Sequence, residues 1–214
     1  MKNFVFWLGC LLITCLMASP FALADTIDLT VNNNCGSTCN PAIPPGTTIA
    51  VVTLTQSGSN VLVSVQAQSG FSLKIEDGND VNFNGPSGLT VTNLTVDGTG
   101  IGSDFSLGTG GSADGFGKFS YNLMSICDPK VCFATSASNI SFTVTGATVA
   151  QLETANAGGG EWAIHFCDAS GTNCAPSTGY VSNGGATVPE PGMLAMLFAG
   201  LVPVGRFVYK FRRV

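Results

Sequence analysis

The residue of this chain best suited to acid–base chemistry is its single histidine, His165, within the segment EWAIHFC. Alternating apolar residues predict a strand here, with His165 and Glu161 on the face opposite Trp162. Two residues four positions apart on a strand are separated by about 13 Å, too far for a catalytic dyad. Because no nucleophile motif such as G-x-S-x-G accompanies the histidine, we expect a partly exposed structural residue, no catalytic residues and no enzyme activity.

Carboxylates suggest two further kinds of site. The string EDGND contains Glu76, Asp77 and Asp80, and clustered oxygen ligands of this kind can hold calcium. The string lacks EF-hand spacing, and Asp, Gly and Asn are turn formers, so a solvated turn without metal or other cofactor is the favoured interpretation. Glycosidase carboxylates would have to come from Glu76, Glu153 or Glu161, and nothing in the sequence brings two of these together.

The first 24 residues are typical of an export signal. Lys2 precedes an apolar stretch, and the triplet that ends at Ala24 has the small residues that signal peptidase accommodates. The sequence therefore predicts a signal peptide over residues 1–24, cut after Ala24. An uncleaved membrane helix and lipoprotein processing at Cys10 or Cys15 are the weaker alternatives.

Six of the eight cysteines form three near-neighbour pairs in Gly-, Pro- and Asp-containing loops. The pairs are Cys35 and Cys39 in CGSTC, Cys127 and Cys132 in CDPKVC, and Cys167 and Cys174 in CDASGTNC. Loops of this kind can bring two Cβ atoms within disulfide reach. Zinc is the alternative, but no pair has zinc-knuckle spacing and an exported protein meets an oxidising compartment. We therefore predict disulfides that pin surface loops.

Charge is distributed by position along the chain. Residues 25–187 contain 12 acidic residues and only three bases, Lys74, Lys118 and Lys130, for a formal charge of −9. A nucleic-acid partner is excluded, because phosphate binding needs a basic surface.

Short apolar runs separated by Gly- and Asn-rich turns predict an all-β domain over residues 25–187. Val61, Val63 and Val65 alternate after an SGSN turn, which predicts a hairpin with the preceding run. About eight such runs indicate an antiparallel β-sandwich of jelly-roll or immunoglobulin-like type. AQLETA is compatible with one helical turn, and the eight glycines of residues 97–117 predict a long flexible loop or an irregular crossover.

Residues 188–214 read VPEPGMLAMLFAGLVPVGRFVYKFRRV. An uncharged run follows Glu190 and, extended through Tyr209 with Arg206 reaching the interface, approaches the about 20 residues of a membrane span. The basic residues gather at the far end: Arg206, Lys210, Arg212 and Arg213. By the positive-inside rule these bases stay cytoplasmic and the acidic domain lies outside. We predict a single transmembrane helix here.

The triplet Pro189-Glu190-Pro191, the apolar run and the basic end, in this order, resemble the PEP-CTERM sorting domain of Gram-negative bacteria. The resemblance covers about the last 27 residues. It implies recognition of Pro189, Glu190 and Pro191 by an exosortase, a membrane-embedded thiol transpeptidase-like enzyme. It also implies a precursor in the inner membrane, then delivery to the cell surface or to a matrix of exopolysaccharide and biofilm.

These features together predict a non-enzymatic exported surface or matrix protein. Its expected partners are signal peptidase, an exosortase, the membrane as a transient anchor, and exopolysaccharide. A carbohydrate-binding or adhesive module delivered by the same route is the alternative. A secreted hydrolase is a third class, which would require an activity that depends on His165 or on a buried carboxylate.

Overall fold

The computed structural model describes residues 24–33, 43–75, 79–100, 104–125, 136–168 and 178–184. Within these ranges the chain is nearly all β, as predicted, with sixteen strands and one short helix. The strands are β1 Ala24–Leu29, β2 Val31–Asn32, β3 Ala50–Ser57, β4 Asn60–Ala67, β5 Phe71–Lys74, β6 Val81–Phe83, β7 Thr90–Val96, β8 Thr99–Gly100, β9 Phe105–Thr109, β10 Ser112–Ala113, β11 Gly117–Lys118, β12 Tyr121–Ser125, β13 Ser136–Ala137, β14 Asn139–Thr145, β15 Trp162–Asp168 and β16 Thr178–Ser182. The helix, α1, spans Val149–Leu152 and lies between β14 and β15.

The first sheet, sheet I, has the strand order β1-β3-β4-β14-β7-β8 and is antiparallel. Its centre is the predicted hairpin, in which β3 and β4 join through Gly58 and Ser59 and pair from Ser57 opposite Asn60. Gly58 has a φ of +61°, a conformation that glycine adopts without steric cost. The alternating valines of β4 all point into the core, so the period-2 pattern correctly predicted the buried face.

The second sheet, sheet II, has the order β13-β5-β15-β6-β12-β9, with β16 and β2 beyond β15. On one side β15 pairs with β16, and on the other it pairs first with β6 and then with β5. Ile164 and Phe166 are two positions apart on β15, whereas their partners Val81 and Leu73 are eight apart. The pairing with β15 is therefore interrupted beside His165 between β5 and β6, in the interval that contains the EDGND string.

Both sheets contribute to one core cluster, which makes them consistent with the two layers of a β-sandwich. Phe83 of sheet II lies 5.0 Å from the Trp162 ring, centroid to centroid, in a stacked arrangement. The same phenylalanine contacts Phe142 of sheet I at 6.0 Å. Aromatic pairs of this kind add about 0.5–1.5 kcal/mol each beyond the area they bury.

The Gly-rich segment 97–117 agrees with the irregular crossover, one of the two structures that its composition predicts, because it begins in sheet I at β8 and continues in sheet II at β9. In its described part, β8 pairs with β7, β9 pairs with β12, and β10 pairs with β11. A Cβ on Gly111 would lie 2.6 Å from both Asn122 Cβ and Asn82 Oδ1. The missing side chain thus lets the β10–β11 hairpin approach sheet II, where Ala113 and Phe119 pack against Ala163.

The helix α1 confirms the predicted single helical turn. Gln151 Oε1 accepts the Thr148 N–H at 2.9 Å at its start, and the Trp162 indole N–H donates to the Leu152 carbonyl at 3.0 Å. Within the described ranges, no helix is long and apolar enough to cross a membrane. Apart from Ala24, which opens β1, the predicted signal peptide lies outside those ranges, as does the predicted transmembrane segment.

Candidate functional site

The predicted strand around His165 is confirmed, and the histidine is half-buried on it. Its ring stacks on Tyr180 of β16, with centroids 4.7 Å apart and planes 14° apart. Its backbone N–H donates to the Asp80 carbonyl at 2.9 Å. Glu161, which the sequence placed on the same face, hydrogen-bonds with Asn183. His165 and Glu161 thus have different partners.

Glu161 is a buried carboxyl, only 4% exposed. Asn183 hydrogen-bonds to both the backbone and the carboxylate of Glu161. The Glu161 N–H donates to Asn183 Oδ1 at 3.0 Å, and Asn183 Nδ2 donates to Glu161 Oε2 at 2.8 Å. Burial raises the pKa of Glu161; the Asn183 hydrogen bond opposes this and the Asp25 carboxylate adds to it. The group is therefore engaged in holding the start of β15 to the chain after β16.

The burial of Asp80 contradicts the prediction that the EDGND string is a solvated turn. Its side chain is only 1% exposed, and its Oδ2 accepts the Ser125 N–H at 3.1 Å. Its own N–H donates to the Leu123 carbonyl at 3.0 Å, so Asp80 fixes the start of β6 to β12. Glu76 and Asp77 lie outside the described residues, so calcium binding stays a prediction. The described residues contain no group of three or more potential metal ligands.

Most other predicted site residues also lie outside the described ranges. Cys167 is buried and disulfide-bonded. The other candidate cysteines are not described, namely Cys35, Cys39, Cys127, Cys132 and Cys174. The three pairings therefore stay predictions. The recognition triplet Pro189-Glu190-Pro191 and the four terminal bases are likewise outside the described chain.

A groove of about 670 Å³ lies where three distant segments meet. Residues 84–86 after β6 form one wall, residues 118–120 at the end of β11 form another, and residues 151–157 of α1 and the following loop form the third. We name it the Lys118 groove. Its volume falls within the about 300–1,000 Å³ of small-molecule sites.

Two asparagines hold the walls of the Lys118 groove together. Asn84 Nδ2 donates to the Gly160 carbonyl at 3.2 Å, and its Oδ1 accepts the Ser120 N–H at 3.2 Å. Asn156 Nδ2 donates to the Phe116 carbonyl at 2.9 Å, and its Oδ1 accepts the Gly158 N–H at 2.8 Å. Since both ends of each amide are engaged, the walls are fixed before any ligand arrives.

Polar side chains line the Lys118 groove. Lys118 is exposed, and none of the carboxylates in the described chain pairs with its ammonium. Gln151, whose Oε1 caps α1, also lines the groove. Ser120 and Thr154 line the same space, and the Thr154 hydroxyl donates to the Ala150 carbonyl. Sequence reasoning missed this site; the one signal in the sequence was an isolated lysine in an acidic domain.

The outer face of sheet I is a second surface with a regular pattern. Hydroxyl side chains stand in register across five strands, at Thr26, Thr53, Ser64, Ser141 and Thr95. Threonine is favoured in strands, and antiparallel sheets commonly expose one face to water. We therefore attribute this face to solvation.

Comparison with family models, curated proteins and solved structures finds no match for this chain. Its class is thus defined by its own fold: a nearly all-β protein of two packed antiparallel sheets with a donor-lined groove.

Proposed function

We propose that this chain is a non-enzymatic exported protein of the bacterial surface or extracellular matrix. The observation that carries the proposal is the order of its segments: an apolar export signal, an acidic domain, then Pro189-Glu190-Pro191, an apolar run and a basic end. This order resembles the PEP-CTERM arrangement. Signal peptidase and an exosortase act at the two ends, and the precursor is held transiently in the inner membrane.

The extent of the folded domain supports this proposal. β1 begins at Ala24, the last residue of the predicted signal peptide, and the described chain runs to Gly184, five positions before Pro189. Described residues of the two packed sheets thus reach from the first processing region to within a few positions of the second. A processed protein would consist almost entirely of this domain, which suits a matrix component.

Replacement of the single charge in the recognition triplet tests the sorting step. We expect Glu190→Ala to accumulate as an uncleaved inner-membrane precursor, measured by fractionation and immunoblotting in a host with an exosortase. Asp28→Ala, an exposed carboxylate on β1, is the matched control and should be processed normally. Normal release of the Glu190 variant would refute the sorting assignment.

A carbohydrate-binding module on the same export route is the second candidate. The Lys118 groove favours it, because amide, ammonium and hydroxyl groups stand beside Pro86, Ala155 and Ala157. Saccharides present both hydroxyl oxygens and apolar C–H faces, and such a lining meets both.

A further inference from the structure

We infer that the Lys118 groove binds an acidic saccharide unit whose carboxylate is held by Lys118. The inference rests on the second candidate function, the binding module, and is independent of the sorting segment. It specifies the ligand as a sugar unit with one negative charge, several hydroxyls and an apolar face.

The charge of the groove is the first argument. Lys118 and Lys74 are the only bases in the described chain, which is otherwise acidic. In such a protein a lysine that none of the described carboxylates pairs with, at the wall of a preformed groove, supplies a local positive site. A carboxylate that meets an ammonium forms a charge-assisted hydrogen bond, roughly twice as strong as a neutral one.

The number of bases limits the kind of anion. Lys118 is the only base that lines the groove, so the site neutralises about one charge. Nucleic acid and other densely charged polyanions are bound by several bases along their length. A single acidic sugar unit places one charge in the groove, which matches the one base there.

The remaining lining matches the uncharged part of such a unit. The Ser120 hydroxyl can donate and accept, the Gln151 amide can donate through Nε2, and the Thr154 hydroxyl, which donates to the Ala150 carbonyl, can accept. Pro86 and Ala155 supply apolar surface for the C–H face. Because Asn84 and Asn156 already fix these walls, binding carries little ordering cost.

Matched acidic and neutral oligosaccharides test the inference. The exported full chain would be titrated calorimetrically with tetragalacturonate and with its fully methyl-esterified form, in which every carboxylate is replaced by a neutral ester. We expect the acid to bind at least about tenfold more tightly than the ester at low salt, with the difference reduced at high salt. Equal binding of the two forms, or binding of neither, would overturn the inference.

Variants that remove the charge of one lysine test whether the saccharide binds at Lys118. Lys118→Gln should lose the preference for the acid, whereas Lys74→Gln, on β5, should keep it. A Lys118→Gln protein with unchanged preference, or loss of preference in the Lys74 variant alone, would also overturn the inference. Thermal unfolding checks that each variant folds. Fractionation of the same variants reports sorting separately, so failure of the groove and failure of the export proposal are distinguishable.

Discussion

Asn183 forms hydrogen bonds with both the backbone N–H and the carboxylate of Glu161, at 3.0 and 2.8 Å. The pair joins the start of β15 to the residue after β16, in a position where the carboxyl is nearly excluded from water. The consequence is a dependence of stability on pH that one substitution removes.

Glu161→Gln should stabilise the protein at neutral pH. Burial raises the pKa of Glu161 above its ordinary value of 4.5, so the folded chain holds the proton more tightly than the unfolded chain. This contribution to stability is complete below the unfolded pKa and is lost as pH rises through the folded pKa. The glutamine stays neutral and can still accept from Asn183, so its advantage over the natural protein should appear above about pH 4.5 and persist at pH 7.

Chemical denaturation of both proteins between pH 3.5 and 8 measures this difference. Asp28→Asn, an exposed carboxylate on β1, is the control and should show no comparable gain. A Glu161→Gln protein that is less stable than the natural one at pH 7 would contradict the interpretation of burial.

Gly111→Ala should destabilise the protein by about 1–3 kcal/mol. The new Cβ would lie 2.6 Å from Asn122 Cβ, a distance that forces the β10–β11 hairpin away from sheet II. Gly100→Ala is the matched control, because Gly100 also lacks a positive φ and no atom lies within 4 Å of its Cβ position. The free energy of unfolding should separate the two; equal values would exclude close approach as the reason for Gly111.

Signal peptidase should cut the precursor only before β1 docks. The predicted scissile bond joins Ala24 and Asp25, which pair with Thr55 and Leu54 in the sheet I ladder. A protease needs an unpaired extended substrate, so the folded precursor should be cut at least about tenfold more slowly than the denatured one. Timed digestion followed by N-terminal sequencing measures this.

A variant that cannot dock β1 provides the control for that experiment. Leu29 is fully buried, and Leu29→Asp should restore fast cleavage of the precursor. Equal rates for folded and denatured natural precursor would show that the predicted site is not at the start of β1.

The mature chain should contain three disulfides. Its unreduced mass should be six hydrogens below that of the reduced chain, and peptide mapping should pair Cys167 with Cys174. Cys167 is already disulfide-bonded in the structure. Free thiols in the exported protein, or bound zinc, would rule out the three-disulfide arrangement.

Local patterns in the sequence predicted much of the sheet structure. Alternation identified the β3–β4 hairpin and the strand β15, because strand period and turn chemistry are local properties. The burial of Asp80 was not predictable in this way, since it depends on a contact with Ser125, 45 positions away.

The Lys118 groove could not be predicted from local sequence patterns for the same reason. Its walls come from three separate segments, and the bond from Asn84 to Gly160 spans 76 positions. Only tertiary packing brings these segments together. The composition of residues 97–117 left a flexible loop and an irregular crossover open, and it did not reveal that Gly111 permits close approach to sheet II.

Sheet II has a feature with an evolutionary consequence. Its paired strands are interrupted between β5 and β6, and again between β12 and β13, at neighbouring points: Leu123 pairs with Val81, and Ser136 pairs with Lys74. The described strands resume their pairing on the far side of each interruption. This pairing is compatible with insertions and deletions at the two points, which gives descendants of this chain two places to diversify.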